Sequence, residues 1–206
     1  MNRRLARTGI VALGFAALAA AGAACANGST TAAGTPTASA SHPMEHAMAP
    51  FGSACASVPA SGSGSFEMQM HDPAASAAAA NPMLATLSHA LMQAKLTDTL
   101  NASSGITVFA PTNAAFSSMN PDALMMAMHD PQGELTKILT YHVVQGQLSP
   151  AQLTGTHTTL EGSTIRVTGS GENFVVNGTA HVVCGDIHAS NATIYMINGV
   201  LTPPTS

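Results

Sequence analysis

Hydrophobic residues recur at the spacing of amphipathic helices through much of the stretch from residue 81 to residue 141. Leu84, Leu87 and Leu91 share one helical face, and Asn81-Pro82 before them is a typical helix start with proline in the first turn. Four further helices are predicted from the same spacing or from capping signals: 96–100, 121–128, 133–141 and 150–152.

The hydrophobic period changes to two after residue 156. Ile165 and Val167 alternate with polar residues, and Asn177-Gly178 is a strong signal for a hairpin turn. The predicted strands of this half are 165–167, 174–176, 181–183 and 194–197. Helices in the first half and strands in the second predict an α+β fold.

One strand is predicted inside the helical half, and it turns sharply into a helix. Residues 106–110 are apolar and partly β-branched, so they predict a buried strand that ends where Pro111 cannot donate to a sheet. Thr112 and Asn113 are natural N-cap residues for a short helix that carries Phe116. Phe109 and Phe116 then lie on either side of the corner.

The run from Thr107 to Phe116 resembles the first signature of the fasciclin (FAS1) domain. Residues 191–201 resemble the second signature, and Tyr141-His142 lies between the two, where that family carries a Tyr-His pair. The resemblance covers residues 66–204 and is greatest to small mycobacterial fasciclin proteins that are secreted or lipid-anchored. It implies a single FAS1 domain in which a helical layer packs on a curled β-sheet. The motif residues with an implied structural role are Phe109, Pro111, Thr112, Asn113, Phe116, Tyr141 and His142.

The N-terminal residues 1–25 have the pattern of an export signal. Three arginines precede an apolar run, 9–21, that is too short to span a bilayer comfortably. Small residues then lead to Cys25, as in the bacterial lipobox whose cysteine becomes diacylated. Ala24-Cys25-Ala26 also fits ordinary signal peptidase, which would remove the cysteine, so both kinds of processing stay open.

Residues 26–65 are predicted to form a disordered tether. They are rich in alanine, serine, threonine, glycine and proline and carry almost no large apolar side chains, so they cannot bury enough surface to offset the entropy of ordering. The composition is typical of an O-glycosylated stalk.

Cysteine usage fits an exported chain. Acylation or removal of Cys25 leaves Cys55 and Cys184, and a pair of cysteines outside the cytoplasm favours a disulfide. Such a bridge would attach the N-terminal extension to the sheet. The alternative is two independent buried thiols.

Charge and motifs exclude several classes of function. Only 8% of residues are charged, the formal net charge is −4, and three of the six basic residues lie in the leader. Nucleic acid and anionic lipid surfaces require clustered Lys and Arg, so neither is an expected partner. The chain has no nucleophile elbow, no phosphate-binding glycine loop and no zinc-protease motif. We therefore assign no catalytic residue, no cofactor and no resident metal.

Two polar features invite a chemical interpretation. His142 follows Tyr141 at the end of a helix, where an imidazole hydrogen-bonded to backbone is favoured over a proton-transfer or ligand role. The chain also contains 12 Met and 9 His, and thioethers with imidazoles are the ligand set of copper(I). Three groups of these residues stand out: His42, Met44, His46 and Met48; Met68, Met70 and His71; Met125, Met128 and His129. The first group has no core to fill, whereas Met125 and Met128 are predicted to be core residues.

These observations together predict an exported, lipid-anchored, monomeric FAS1 protein at the outer face of the cell membrane, or a secreted form of it. The family resemblance implies adhesion or recognition through a protein or glycan partner at the cell surface. Two alternatives remain: copper binding in the envelope through residues 42–48, and a structural or antigenic surface protein without a specific ligand.

Overall fold

The computed structural model describes residues 49–204. Eight α-helices lie in this range: α1 (Phe66–Gln69), α2 (Ala74–Ala80), α3 (Ala85–Gln93), α4 (Thr97–Ala102), α5 (Asn113–Ser117), α6 (Pro121–His129), α7 (Glu134–Tyr141) and α8 (Pro150–Leu153). Short 3₁₀ turns occur at Ser53–Ser57 and Pro82–Leu84. Within residues 49–204, no helix has both the length and the apolar character that crossing a membrane requires.

Seven strands form one sheet in the order β2-β1-β7-β6-β5-β4-β3. Their bounds are β1 (Ile106–Pro111), β2 (Val143–Gln145), β3 (Gly155–Thr158), β4 (Thr164–Ser170), β5 (Asn173–Val176), β6 (Ala180–His188) and β7 (Ala192–Ile197). Strands β1 and β7 are parallel, and all other pairs are antiparallel. The two edges approach each other where Val144 pairs with Thr159 and the Leu160 N–H donates to the Val143 carbonyl at 2.8 Å. The sheet is therefore curled and nearly closed.

The curled sheet has a hydrophobic layer on each side of its central strands. Phe109 and Tyr195 point into the interior of the curl, together with Ile165 and Val176 of the later strands. On the opposite side, alternate residues of β1 and β7 pack against the helices, for example Val108 and Ile194. Since both faces of β1 and β7 are buried, these strands are apolar without alternation.

The predicted strand end at Ala110 is off by one residue, since β1 includes Pro111 opposite Ile197. The Phe109 N–H donates to the His142 carbonyl, on the β2 side, and the Thr112 N–H donates to the Ile197 carbonyl, on the β7 side. Because donor groups alternate along a strand, the missing N–H of Pro111 faces the side on which β2 has already ended.

The corner after β1 is the predicted strand-to-helix turn. Its two polar residues, Thr112 and Asn113, make different hydrogen bonds. The Thr112 side chain accepts from the Ala115 N–H and forms the N-cap of α5. Asn113 instead bonds a distant segment: its Oδ1 accepts from the Thr86 N–H at 2.9 Å and its Nδ2 donates to the Pro82 carbonyl at 2.9 Å. Asn113 therefore joins the start of α3 to the corner.

The buried helix α2 has no signal of its own in the hydrophobic pattern, because it consists of six alanines and one serine. Its N-cap is Pro73, which makes no side-chain cap bond. The Asn191 Oδ1 accepts from the Ala74 N–H at 2.8 Å, and the Asn101 Oδ1 accepts from the Ala75 N–H at 3.1 Å. The Asn191 Nδ2 also donates to the Leu100 carbonyl at 2.8 Å, so one side chain caps α2 and holds the end of α4.

The structure differs from the predicted tether boundary at residue 65. Phe51 exchanges two backbone hydrogen bonds with Gly185 of β6, at 3.1 and 2.8 Å. A Cβ at Gly52 would collide with the Val183 carbonyl, and one at Gly185 would collide with the Phe51 ring, so glycine is required at both positions. This docking needs only one phenylalanine, one cysteine and suitably placed glycines. The average composition of residues 26–65, from which the tether was predicted, therefore gave no sign of it.

Candidate functional site

Tyr141 and His142 are both buried, at 3% and 2% exposure, where α7 meets β2. The Tyr141 hydroxyl donates to the Thr164 carbonyl at 3.1 Å and accepts from the Asn177 Nδ2 at 3.0 Å. The tyrosine thereby connects α7 to β4 and to the turn after β5. Neither side chain is available for direct contact with a partner.

His142 bridges two backbone segments. Its Nε2 accepts from the Leu201 N–H at 2.9 Å, so its Nδ1 carries the proton and donates to the Ile138 carbonyl at 2.7 Å. Desolvation by burial lowers the pKa of His142 to about 4, and the bond to Ile138 opposes this only in part. The imidazole is therefore neutral at pH 7, as the backbone-bonded interpretation requires.

The second signature places Tyr195 at the centre of the curled sheet. Its ring stacks on Phe109 with centroids 5.9 Å apart, and its hydroxyl donates to the Leu148 carbonyl at 2.8 Å. Burial raises the pKa of Tyr195, and the charge of Asp186 raises it further. The two signatures thus meet in one packed pair, which has no access to solvent.

Cys55 and Cys184 form a disulfide, with Cα atoms 5.0 Å apart. We call Phe51, Gly52 and Cys55, together with Cys184 and Gly185 of β6, the clasp. The Phe51 ring lies 5.8 Å from that of Phe174 and 6.4 Å from that of Tyr195, so it covers one end of the inner core. The predicted bridge is present and attaches the N-terminal segment to the sheet.

Sequence reasoning did not single out Asp186, which lies beside the clasp. Its side chain is buried, its φ is 59°, and β6 is irregular on both sides of Cys184. The Oδ1 lies 3.6 Å from the Nε2 of the half-exposed His188, and the Oδ2 has no hydrogen-bond partner. Gly185-Asp186 inside the apolar run 182–187 is the signal that marks such a bulge.

The Asp186→Asn variant should be more stable than the parent at pH 7, by about 1 kcal/mol. Burial raises the pKa of Asp186, with His188 acting in the opposite direction, so the ionised carboxylate destabilises the folded state. A raised acid pKa means that stability is lost as pH rises, so the gain should vanish at pH 3. Urea unfolding of the parent and of Asp186→Asn at pH 7 and pH 3 measures this gain in stability, with the exposed Glu172→Gln as control. A gain of equal size at pH 3 would assign the effect to backbone conformation.

The other predicted ligands and anchors lie partly outside residues 49–204. Cys25 and the group His42, Met44, His46 and Met48 lie outside the described residues. Met68, Met70 and His71 are exposed on α1 and in the turn after it. Within residues 49–204, no three His, Cys, Asp or Glu side chains are grouped closely enough to hold a metal ion.

The outer face of β3 to β5 and of the start of β6 is largely open, whereas the 3₁₀ turn Ser53–Ser57 and α1 contact the rest of β6. Its outward side chains are exposed or half-buried and mostly uncharged: Thr156, Thr158, Thr164, Arg166, Thr168, Val175 and His181. We call these residues the strand face. Arg166 is its only formal charge, whereas six of the acids lie on or between the helices or beside α1.

Comparison with known proteins identifies the family. A family model described as the fasciclin domain matches residues 82–203. The chain belongs to the fasciclin domain family. Its fasciclin domain is similar in fold to a FAS1 domain pair from the insect cell adhesion molecule fasciclin I, with a TM-score of 0.58 and 18% identity over 64% of this chain and 51% of that one. The predicted α+β class and single FAS1 domain are confirmed.

Closer relatives are bacterial. The chain is 49% identical over 148 residues to the immunogenic protein MPB70 of Mycobacterium bovis, which covers 69% of this chain and 75% of the relative. It is 47% identical over 148 residues to the cell surface glycolipoprotein MPB83 of the same species. This alignment covers 69% of this chain and 66% of the relative. The predicted likeness to small mycobacterial fasciclin proteins is confirmed.

Proposed function

We propose that this chain is an exported fasciclin-domain protein, attached to the outer face of the cell membrane through a lipid on Cys25, which acts in adhesion or recognition at the cell surface. The observation that carries the proposal is the 47% identity to a protein named a cell surface glycolipoprotein. The N-terminal arginines, apolar run and Cys25 support the same location.

The clasp suits a protein attached by its N-terminal side. Residues 26–48 lie between Cys25 and the described domain, and the disulfide fixes the chain to β6 directly afterwards. A force applied to the chain at Cys25 is therefore transmitted to the sheet through the disulfide before it acts on the helices. Because two acyl chains give stable membrane attachment, one diacylated cysteine suffices as an anchor.

The strand face is the surface we propose for recognition. Tyr141 and His142 are buried, so their part in adhesion is to hold the fold. The strand face instead offers threonine hydroxyls, the Arg166 guanidinium and the half-buried Val175 to a protein or glycan partner. Arginine is enriched among the residues that dominate binding energy at interfaces, which makes Arg166 the expected anchor.

Anchoring is tested by the Cys25→Ala variant, expressed in the native host. The parent should partition into the detergent phase of a membrane extract, and the variant should lose the lipid and appear in the culture fluid. The Cys55→Ala/Cys184→Ala variant is the control, since it removes two cysteines and keeps the lipidation site. A parent protein found without lipid in the culture fluid would contradict the anchor and leave a secreted protein.

Recognition is tested by measuring how the lipid-free Cys25→Ala protein binds to intact cells, with and without the Arg166→Ala change. A dominant interface residue contributes at least about 2 kcal/mol, so binding should weaken by about 30-fold. Lys137→Ala removes the same charge from the exposed side of α7 and should bind like the parent. Equal losses in both variants would contradict the strand face, and a parent that binds no cell saturably would favour the structural or antigenic alternative.

A further inference from the structure

Helix α6 has methionines on its solvent side. Only Ala127 of this helix is buried, and Leu124 and Met128 are half-buried against the core. Met125 is 57% exposed and Met126 is 71% exposed. The prediction that Met125 fills the core is therefore wrong, whereas Met128 does contact the core. Hydrophobic burial does not explain the two exposed thioethers.

The exposed residues of α6 form a stripe at helical spacing. Asp122, Met125, Met126 and His129 stand at positions i, i+3, i+4 and i+7, and all four are exposed. Residues three and four apart on a helix have Cβ atoms about 5–6 Å apart. The imidazole of His129 is thus within reach of both thioethers, and the unbranched methionine side chains can adjust to a shared ligand.

The helix itself is firmly defined, so these donors are held at one spacing. The Asn120 Oδ1 accepts from the Asp122 N–H at 2.8 Å, and Pro121 occupies the first turn. At the other end, the Asp130 carboxylate accepts from the N–H groups of Gly133 and Glu134, at 3.0 and 3.2 Å, and starts α7. The backbone spacing of the donors is therefore set before a ligand binds, and only their side chains have to be ordered.

Donor chemistry restricts the ligand to a soft cation. Thioether sulfur and imidazole bind copper(I), whereas Mg²⁺ and Ca²⁺ require several oxygen ligands. Asp122 and Asp130 add negative charge at the two ends of the stripe. The other exposed methionines form no such trio. Met68 and Met70 are two residues apart, and Met70 lies past the end of α1. Met92 on α3 has one exposed imidazole, His89, three residues before it and Lys95 three residues after it.

We propose that Met125, Met126 and His129 form a copper(I) site on the solvent face of α6. The site is independent of the adhesion surface, which lies on the strand face, and of the N-terminal group 42–48. Within residues 49–204, no group of three or more His, Cys, Asp and Glu side chains offers a competing metal site.

The test uses the full chain with Cys25→Ser and with His42, Met44, His46 and Met48 changed to alanine, so that neither a thiol nor the N-terminal group competes. Silver(I), which needs no reductant, is titrated while the ¹³C-methyl resonances of the methionines are followed. One equivalent should shift Met125 and Met126 and leave Met92 and Met196 in place. Unshifted Met125 and Met126 resonances would overturn the site.

Affinity is measured with copper(I) in competition with a chromophoric chelator. Loss of even an outer-shell partner costs about 10- to 100-fold in metal affinity, so Met125→Leu/Met126→Leu should weaken binding by at least about tenfold. His129→Asn should weaken it as well. The matched control, Met92→Leu, removes an exposed methionine from α3 and should bind like the parent. Equal affinity in the double variant and the parent would overturn the proposal.

Discussion

Replacing both Cys55 and Cys184 with alanine is expected to lower the free energy of unfolding by about 4–5 kcal/mol. The disulfide joins residues 129 positions apart, so its loss releases a long loop in the unfolded chain. Cys184 is fully buried, and its replacement also leaves a small cavity beside the helices. For a domain of this size, the melting temperature should fall by about 10–15 °C.

The loss should also be visible locally. Hydrogen exchange at the Phe51 and Gly185 amides should accelerate far more than exchange at Phe109, since the clasp opens while β1 stays paired. Comparison with the reduced parent separates the covalent link from the cavity. An unchanged melting temperature, or uniform acceleration across β1 and the clasp, would contradict a disulfide that holds the N-terminal segment.

His142→Ala should lower stability at pH 7 by about 3–5 kcal/mol. The change removes two hydrogen bonds and leaves the Leu201 N–H and the Ile138 carbonyl buried without partners. It also creates a cavity between α7 and the C-terminal segment. The exposed His181→Ala should be close to neutral, because the structure shows no side-chain hydrogen bond for His181.

The pH dependence gives this prediction a second, independent readout. The pKa of His142 is lowered from 6.5 to about 4, so the unfolded chain binds its proton first as pH falls. The stability of the parent should therefore be complete above pH 6.5 and should decline by about 3 kcal/mol between pH 6.5 and 4. His142→Ala should lack this part of the decline, so the two curves should converge towards pH 4. Parallel curves would contradict a buried, neutral imidazole.

The signatures were predictable because local chemistry and tertiary role coincide there. Thr112 is a typical N-cap residue and forms the N-cap of α5. Phe109 is apolar and lies in the core. The order of the strands was not predictable in this way. The parallel pairing of β1 with β7 joins segments that are distant in the chain, and no local pattern encodes it.

Other features depend on distant partners and gave no local signal. Helix α2 is capped by Asn191, which lies 117 residues beyond Ala74. The docked segment around Phe51 depends on two glycines that permit close contact with β6. The exposed Met125 of α6 was predicted as core because spacing shows which residues share a face but not which face is buried.

The structural observations also narrow the adhesion hypothesis. The Tyr-His pair and most residues of both signatures are buried, and they hold helices, sheet and C-terminal segment together. Our proposal therefore assigns recognition to residues outside the signatures, because family membership alone does not identify the partner. Arg166 suits the proposed binding test because its side chain is exposed, while its backbone pairs within the sheet.

Intact mass of the protein isolated from the membrane fraction of its native host, with and without reduction, tests the proposed surface attachment most directly. The expected mass begins at Cys25, includes a diacylglyceryl group, and is two hydrogens lighter before reduction than after it, because Cys55 and Cys184 are joined. A lipid-free mass that begins at Ala24 or Asn27 would contradict the anchored protein and identify a diffusible one.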